Sequence, residues 1–468
     1  MEKYAYYLIS DIHLERKNEY KKKFLLDGIN LVIEKNKKEG KETIVVFSGD
    51  VDNGTNAYEW FKNINAKIIY TAGNHEFWKN DYYETLDNLQ KDVPQNISFL
   101  HNDFTECGDY IFVGATMWTD VGKSLNEDLK HVSNGIMNDN YNITAKKWYT
   151  PRNIEKLKSI MPRHTLENRK ENFSWNILIE QEENEKTIQF FKDFTVVRNQ
   201  MLKLKEEYDN SDKNLNAKYL KITQEKYDAI HKASKVKDYT YKQWLLICKE
   251  FNLLGYEEVS DEMIQNASVE KEKIFHKLSH MDYSKELIVV SHHLPFLEER
   301  LIGHYSHTTN DHKLINHKAD NSIYNIRNGL EDYPYHNYFY RIAKGEFSRD
   351  ESIVEAIHYS NNGAVNLPKS LYTQVKAWCH GHDHTLNYQD YVKGVNIITN
   401  PLSYSLDVFT FSESGVHLND SYKRFHKIDT EEKEQKEVET LRHLILKPMH
   451  LNKIDNKDEL IKLWGLSL

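Results

Sequence analysis

Five short polar clusters contain the residue types that could carry out chemistry in this chain. Each follows or closes a run of apolar residues. In chain order they are Asp11-Ile12-His13, Gly49-Asp50, Gly73-Asn74-His75-Glu76, His292-His293 and Gly381-His382-Asp383-His384. Carboxylates, an amide and imidazoles can together bind two divalent ions, and a pair of such ions is suited to hydrolysing a phosphate ester.

The apolar runs that precede these clusters are predicted to be buried strands, because they are short and rich in Val, Ile and Tyr. They are Tyr4–Ile9, Thr43–Phe47, Lys67–Thr71, Glu286–Val290 and Val375–Cys379. The segment Asn18–Lys38 has apolar residues at helical spacing and is predicted to be a helix. Sites of α/β proteins usually lie just beyond the C-terminal ends of the strands, so we expect the clusters to meet there.

Composition limits the class of protein. The chain has 468 residues, 39% of them hydrophobic and 28% charged, which is typical of a soluble globular protein of one large domain with an insertion or of two domains. The net charge of −9 disfavours a general nucleic-acid binder, although it leaves room for a local basic groove. Cys107, Cys248 and Cys379 are widely spaced and no run is long enough to span a membrane, so we expect a cytoplasmic protein.

A change in composition suggests how the chain is divided. Residues 145–283 are rich in Lys and Glu, and an amphipathic helical stripe runs through Phe190, Phe194, Val197, Met201 and Leu204. We predict a helical insertion there, which packs on the core or over the site; a coiled-coil arm is the alternative. Residues 1–144 and 284–420 would then form the two halves of one domain, and residues 421–468 a C-terminal helical extension.

Each cluster alone is a weak signal, because a lone histidine is more often a hydrogen-bonded core or surface residue than a ligand. Five clusters in a fixed order, each at a predicted strand end, are a much stronger one. Their motifs resemble the D-x-H, G-D, G-N-H-D/E, later His and G-H-x-H motifs of the calcineurin-like metallophosphoesterase family. The resemblance covers roughly Tyr4–Ile143 and Glu286–Tyr404.

Further segments resemble a subgroup of small bacterial and phage members of that family. They are Gly114–Asp120, Met137-Asn138-Asp139 with Ile143, Trp378–His382, and Asn400-Pro401 with Tyr404. The resemblance implies an α/β fold, a four-layer αββα sandwich of two mixed β-sheets flanked by helices. It also implies a dinuclear metal centre at one edge of the sandwich.

Carried over to this sequence, the resemblance implies two metal sites that share one carboxylate. The first ion would be held by Asp11, His13, Asp50 and His384, and the second by Asp50, Asn74, His292 and His382. His292 is preferred to His293 because it comes first after the strand. Oxygen and imidazole ligands fit Mn, Fe, Zn, Co or Ni, and Mn is favoured.

The same resemblance gives His75 a role other than metal binding. It would face the substrate and either stabilise the phosphate or protonate the leaving alkoxide, while a hydroxide bridging the ions attacks phosphorus in line. Many members have an aspartate three residues after the G-D aspartate to pair with this histidine, but Asn53 stands there. Asp52 is left as an alternative partner, and Glu76 is expected beside the site rather than in the reaction.

We therefore expect a metal-dependent phosphoesterase that hydrolyses a phosphodiester or phosphomonoester, with a small nucleotide or cyclic nucleotide favoured. A metal-dependent nuclease and a non-catalytic scaffold or binding protein are the alternatives, and the insertion could bind a protein partner. Related chains often carry Arg-Gly after the late Asn-Pro, whereas this one has Leu402-Ser403. A cationic contact to phosphate is therefore expected elsewhere, for example from the insertion.

Two other segments could bind ligands, although the sequence favours neither. His304, His307, His312 and His317 could form a third metal site, but a polar loop near the rim of the site is the simpler interpretation. The aromatic run Tyr333–Tyr340 could stack on a base, and packing beneath a loop explains it equally well.

Overall fold

The computed structural model describes the chain in parts. The described residues are 3–118, 139–146, 150, 175–213, 232, 240–251, 259–293, 371, 374–382, 389–392, 395–402, 409–412, 415–418, 420–425, 427–443, 445–449 and 451. His384, the histidines between His304 and His317, and the aromatic run Tyr333–Tyr340 lie outside the described residues.

The first sheet contains the first three predicted strands. Its members are β1 (Tyr4–Ile9), β2 (Glu42–Ser48), β3 (Lys67–Thr71), β4 (Ile97–Phe99) and β13 (Lys447–Pro448), in the order β13-β1-β2-β3-β4. β1 to β4 are parallel, and β13 is antiparallel to β1. Because the parallel strands are apolar on both faces, both faces of the sheet are buried.

Three helices connect these strands: α1 (Glu19–Lys38), α2 (Asn56–Phe61) and α3 (Tyr82–Lys91). The predicted helix α1 begins at Asn18, whose side chain accepts a hydrogen bond from the Lys21 N–H at 2.9 Å and so caps the first turn. Its buried face includes Phe24, Leu25 and Ile29, which pack on β2. Each connection returns the chain to the same end of the sheet, so the carboxyl ends of β1, β2 and β3 share one edge.

The second sheet contains the other two predicted strands. Its members are β5 (Asp103–Cys107), β6 (Tyr110–Ala115), β7 (Leu287–Ser291), β8 (Val375–His380), β9 (Gln389–Val392) and β10 (Val395–Thr399), in the order β5-β6-β7-β8-β10-β9. The four central strands are parallel, and the edge strands β5 and β9 are antiparallel to their neighbours. The two sheets pack face to face through an apolar layer that includes Leu8, Val46, Phe112 and Val290.

A second layer of helices covers the outer face of the second sheet. It contains α5 (Trp175–Lys213), α6 (Tyr241–Phe251) and α8 (Val269–Ser279). Phe191 and Phe194 of α5 pack in the same cluster as Val289 and Trp378 of the sheet. The order is thus helices, sheet, sheet, helices, and the predicted αββα sandwich is confirmed. Whether residues 145–283 form an insertion distinct from this layer stays a prediction.

The remaining described elements are α4 (Asp139–Asn142), α7 (Asp261–Gln265), α9 (Asp420–Phe425), α10 (Glu431–His443) and the hairpin β11 (Phe409–Ser412) and β12 (Gly415–Leu418). The segment predicted to be a C-terminal helical extension contains α10, which ends at His443, and beyond it Lys447–Pro448 pair with β1. Pro448 fits this edge strand, where a missing N–H is tolerated. The extension as a separate unit stays a prediction. No helix in the described part of the chain is long and apolar enough to cross a membrane.

Candidate metal centre

The candidate site lies where the carboxyl ends of strands from both sheets meet. Backbone hydrogen bonds join the loops directly: the Asp11 N–H donates to the Gly49 carbonyl at 3.1 Å, and the Gly381 N–H donates to the His292 carbonyl at 3.0 Å. Asn400 ties the two sheets together, because its carbonyl accepts from the Ser10 N–H at 3.0 Å and its side chain donates to the Leu8 carbonyl at 2.7 Å.

Several residues of these loops have a left-handed backbone, which is unusual for residues with a side chain. The φ angles are 52° at Asp11, 52° at His13, 55° at Asp50 and 70° at His382. A non-glycine residue in this region is strained by about 1–3 kcal/mol and tends to occur at functional sites. The concentration of such residues at one edge marks that edge as a site rather than an ordinary set of turns.

The close approach of the loops requires glycine at two positions. A Cβ on Gly381 would lie 2.6 Å from the Ser48 carbonyl oxygen and 2.7 Å from Asp11 Oδ2. Gly49 has a φ of +82°, and a Cβ there would lie 2.7 Å from the Gly73 nitrogen. The glycines of the G-D and G-H-x-H motifs therefore allow the ligand-bearing loops to come together.

One group of side-chain atoms consists of donors from Asp50, Asn74, His292 and His382. His292 Nε2 lies 3.3 Å from Asp50 Oδ1, 3.1 Å from Asn74 Oδ1 and 2.8 Å from His382 Nδ1. All four residues are buried. These are the four residues that the sequence assigned to the second ion, and the geometry brings them to one point.

Hydrogen bonds outside this group fix how its members face. His292 Nδ1 donates to the Ser48 carbonyl at 2.8 Å, which leaves Nε2 for the site. The Asn74 amide donates through Nδ2 to Asp139 Oδ1 at 2.8 Å, so its oxygen faces inward. The Trp78 indole N–H also donates to Asp139 Oδ1. Such outer contacts are typical of metal sites, where they hold each ligand in a fixed orientation.

A second group consists of His13, Asp50 and His75, whose candidate ligand atoms all lie within 4.8 Å of one another. Asp50 Oδ2 lies 3.7 Å from His13 Nε2 and 3.9 Å from His75 Nε2. Asp50 therefore belongs to both groups, with one carboxylate oxygen nearest each. Glu15 Oε1 lies on the far side of the two rings, 3.1 Å from His13 Nδ1 and 3.0 Å from His75 Nδ1.

Asp11, a predicted ligand of the first ion, lies apart from this second group. Asp11 is buried, and its carboxylate accepts the His382 N–H, at 2.9 Å to Oδ1 and 3.0 Å to Oδ2. It is thus at the site, although the group around His13 and Asp50 contains His75 and not Asp11. His384 lies outside the described residues.

The sequence leaves open the roles of three residues, Glu76, His293 and Asp52, and each has a distinct place. Glu76 is buried and accepts hydrogen bonds from the N–H groups of Asp50, Val51 and Gly73, so it holds two loops together. His293 Nδ1 donates to the Thr116 carbonyl at 3.2 Å.

Asp52, the alternative partner of His75, has Oδ1 bound to the N–H of Asn53 at 2.7 Å. The side chain of Asn53 donates to the His75 carbonyl, also at 2.7 Å. The residues that follow the G-D motif therefore bind the backbone of His75. The His75 imidazole is hydrogen-bonded to Glu15 instead.

Charge among these side chains is divided between one strong acid and adjacent histidines. Burial alone would raise the pKa of Asp50, but His292 and His75 outweigh it and hold that pKa well below its usual value. Burial lowers the pKa of His292, yet the Asp50 carboxylate raises it overall, to about 9. Burial and the neighbouring His292 lower the pKa of His293 to about 3, so the two adjacent histidines differ in charge near neutral pH.

The donors at this edge suit divalent metal ions. Buried carboxylate and amide oxygens stand beside Nε2 of His13 and of His292, whose Nδ1 atoms are already hydrogen-bonded, which is the arrangement that prepares histidine for coordination. Sequence reasoning missed Glu15 as a contact of both histidines and gave Asp139 no role. Both residues stood next to recognised motifs, Glu15 two positions after His13 and Asp139 in a segment of the resemblance.

Comparison with known proteins agrees with the fold and the motifs. Residues 5–179, which include the first three clusters, match the family model of the calcineurin-like phosphoesterases. The match confirms the predicted family for this part of the chain. An uncharacterized protein of Acanthamoeba polyphaga mimivirus is 27% identical over 154 residues, covering 30% of this chain and 51% of the viral protein. The chain thus spans about half the length of that relative.

The family match and the His and Asp groups that could hold a metal ion together support divalent metal binding at this edge. The position after the late Asn-Pro offers no cation, because Leu402 is buried in the apolar core.

Proposed function

We propose that this protein is a dinuclear metal-dependent phosphoesterase that hydrolyses a phosphodiester or phosphomonoester, with a small nucleotide or cyclic nucleotide as the favoured substrate. The observation that carries the proposal is the place of Asp50. Its two carboxylate oxygens face two separate groups of ligand atoms, one with His13 and one with His292. A carboxylate shared in this way is what a pair of neighbouring ions requires.

In this proposal the residues divide as the motifs suggest. Asp11, His13, Asp50 and His384 would hold one ion, and Asp50, Asn74, His292 and His382 would hold the other, with Mn favoured. The convergence of the second set on His292 Nε2 supports this assignment most strongly. Bound ions would lower the pKa of a water molecule and neutralise charge on the phosphate.

His75 would act on the substrate rather than on the ions. Three contacts fix its position. Its backbone N–H donates to Asp50 Oδ1 at 2.9 Å, its backbone carbonyl accepts from Asn53, and its ring stacks on Trp78 with centroids 3.6 Å apart. A ring held in this way can donate a proton from one nitrogen to the leaving alkoxide or to a non-bridging oxygen of the phosphate. It does so without forming a covalent intermediate.

The rim of the site supports a small anionic substrate. The Arg16 guanidinium lies 5.6 Å from the centre of the Trp78 ring and is 56% exposed in its side chain. It could supply the cationic contact to phosphate that Leu402 cannot. An exposed guanidinium at the rim suits the negative charge of a phosphate. The net charge of −9 disfavours long nucleic acids.

Two further parts of the proposal rest on sequence. We propose a cytoplasmic location, which the cysteine pattern supports. A protein partner could bind through residues 145–283, whose described helices cover the second sheet.

The function is tested by turnover of bis-p-nitrophenyl phosphate and p-nitrophenyl phosphate, with protein stripped of metal and reloaded with Mn. We expect metal-dependent hydrolysis that is abolished in Asp50→Asn. His75→Ala should reduce it by about 10²- to 10⁴-fold, the usual contribution of general acid catalysis. Asp27→Asn and His276→Ala are matched controls, because both side chains are 46% exposed on helices and should not affect turnover.

Other outcomes would favour the alternatives. No turnover with any metal, combined with no metal retained after purification, would support a scaffold on a phosphoesterase fold. Cleavage of DNA or RNA in strong preference to cyclic and linear mononucleotides would support a nuclease and overturn the small substrate. Comparison of the diester with the monoester identifies the type of bond hydrolysed.

A further inference from the structure

A single oxygen atom of Glu15 contacts the two histidines that flank Asp50. Oε1 lies 3.1 Å from His13 Nδ1 and 3.0 Å from His75 Nδ1, and the side chain is only 12% exposed. His13 is a proposed ligand of the first ion, whereas His75 is proposed to face the substrate. The same carboxylate is thus hydrogen-bonded to a group of each kind.

This contact decides which nitrogen each ring turns toward Asp50. When Nδ1 donates to Glu15, the opposite nitrogen, Nε2, is the one that remains for chemistry. In both rings Nε2 faces Asp50 Oδ2, at 3.7 Å for His13 and 3.9 Å for His75. The rings themselves are 4.3 Å apart and inclined by 73°, so one acceptor between them can hold both.

The backbone holds Glu15 in this place. Residues Leu14–Arg16 form a short 3-10 helix directly after His13, and Leu14 is buried. The N–H groups of His13 and Leu14 donate to the carbonyls of Asp50 and Val51, at 2.9 Å and 2.8 Å. The turn that carries Glu15 is therefore attached to the loop that carries Asp50. These backbone hydrogen bonds hold the Glu15 carboxylate in place beside the two histidines.

We propose that Glu15 is a positioning residue that orients the metal ligand His13 and the substrate-facing His75 through one shared oxygen. The inference rests on the proposed function, on its metal centre for His13 and on its catalytic role for His75. In this proposal Glu15, which precedes the Asp50 loop in the chain, supports the His75 imidazole. Asp52 does not provide that support.

The effect of Glu15 on metal binding through His13 is tested by titrating Mn into protein that a chelator has stripped of metal. Free Mn is measured by its electron paramagnetic resonance signal. Glu15→Leu keeps the side-chain size but removes the acceptor, and we expect it to weaken the binding of one Mn by about 10- to 100-fold. Glu15→Gln keeps an oxygen that can accept from both rings and should lose less. Glu19→Leu and Glu19→Gln are matched controls, since Glu19 is 86% exposed and close in the chain.

The catalytic half is tested by kcat at saturating Mn in a double-mutant cycle with His75→Ala. Because Glu15 acts on turnover through His75, Glu15→Leu should reduce kcat by about 10- to 100-fold in the wild-type background and much less in the His75→Ala background. Its effect on Mn binding should persist in the His75→Ala background, because that effect is transmitted by His13. A residue that merely supports the fold would reduce kcat equally in both backgrounds.

The results that overturn the inference are distinct from those that overturn the proposed function. The positioning role would be refuted if Glu15→Leu bound Mn with wild-type affinity. It would also be refuted if Glu15→Leu reduced kcat by the same factor in the wild-type and His75→Ala backgrounds. If wild-type protein shows no turnover, the proposed function fails and the Mn titration alone decides whether Glu15 orients His13. If Glu15→Leu does not fold, the same cycle is run with Glu15→Gln, for which coupling to His75 is again expected.

Discussion

Replacement of Glu183 by glutamine should destabilise the protein, because this carboxylate joins the outer helical layer to the core. Glu183 lies on α5 with its side chain 1% exposed, and its Oε2 lies 3.2 Å from Nε2 of the buried His101. Lys186 donates to its other oxygen at 2.8 Å. Burial would raise the pKa of Glu183, but the hydrogen bonds from His101 and Lys186 outweigh it and lower that pKa to about 2.

The size of the effect follows from the difference between the folded and unfolded pKa values. The drop from 4.5 to about 2, at about 1.4 kcal/mol per pH unit, corresponds to about 3 kcal/mol of stability. Lys186 is 50% exposed, and its share is screened by water, so we expect a loss of about 2–3 kcal/mol for Glu183→Gln at pH 7. A lowered pKa stabilises the fold above pH 4.5, and that stabilisation fades as the pH falls toward about 2.

Equilibrium urea unfolding at pH 7 and at about pH 3.5 measures this prediction. The difference between wild-type and Glu183→Gln should shrink by about 1 kcal/mol at the lower pH. Glu182→Gln is the matched control: the neighbouring carboxylate also binds Lys186, at 2.6 Å, but is more exposed and should contribute less than about 1 kcal/mol. Equal losses in the two variants, or a loss in Glu183→Gln that does not change with pH, would refute the reasoning.

Three further predictions concern the site. Asp139→Leu should reduce kcat by about 10-fold and weaken binding of one Mn, because Asp139 fixes the amide of Asn74 and leucine offers no acceptor; unchanged values of both would contradict this orientation. Arg16→Ala should raise KM for phosphate esters by about 10-fold with a smaller change in kcat, as expected for a lost charged contact; an unchanged KM would exclude a phosphate contact. Chelation should lower the thermal midpoint, and added Mn should raise it again with the logarithm of the free Mn concentration above the Kd; a midpoint indifferent to Mn would argue against binding to the folded state.

The parts of the fold that could be predicted are those whose signal is local. A buried parallel strand such as β2 is apolar on both faces and ends in a recognisable polar cluster, so five strands and the site edge followed from short segments. Helix α1 was predictable for the same reason, since its cap at Asn18 and its apolar stripe lie within the helix itself. Asp50, Asn74, His292 and His382 were predictable because each stands in a short motif.

The parts that could not be predicted depend on contacts between distant segments. The edge strand β13 is only two residues long and gains its structure by pairing with β1, more than 400 residues earlier in the chain. Glu15 had no visible link to His75, since the two residues are 60 positions apart and meet only when the loops fold together. The outer helices were predicted as helices, but sequence periodicity does not say which sheet they cover.

Asp50 is proposed to be shared by two metal ions, and this sharing is measured by the number and the coupling of the Mn ions bound per chain. Protein reconstituted with Mn should bind two ions per chain and show the electron paramagnetic resonance signal of a magnetically coupled pair. Asp50→Asn should lose the coupled signal, while Asp27→Asn should retain it. One ion per chain, or two ions that stay uncoupled in the wild-type protein and unaffected in Asp50→Asn, would contradict the claim.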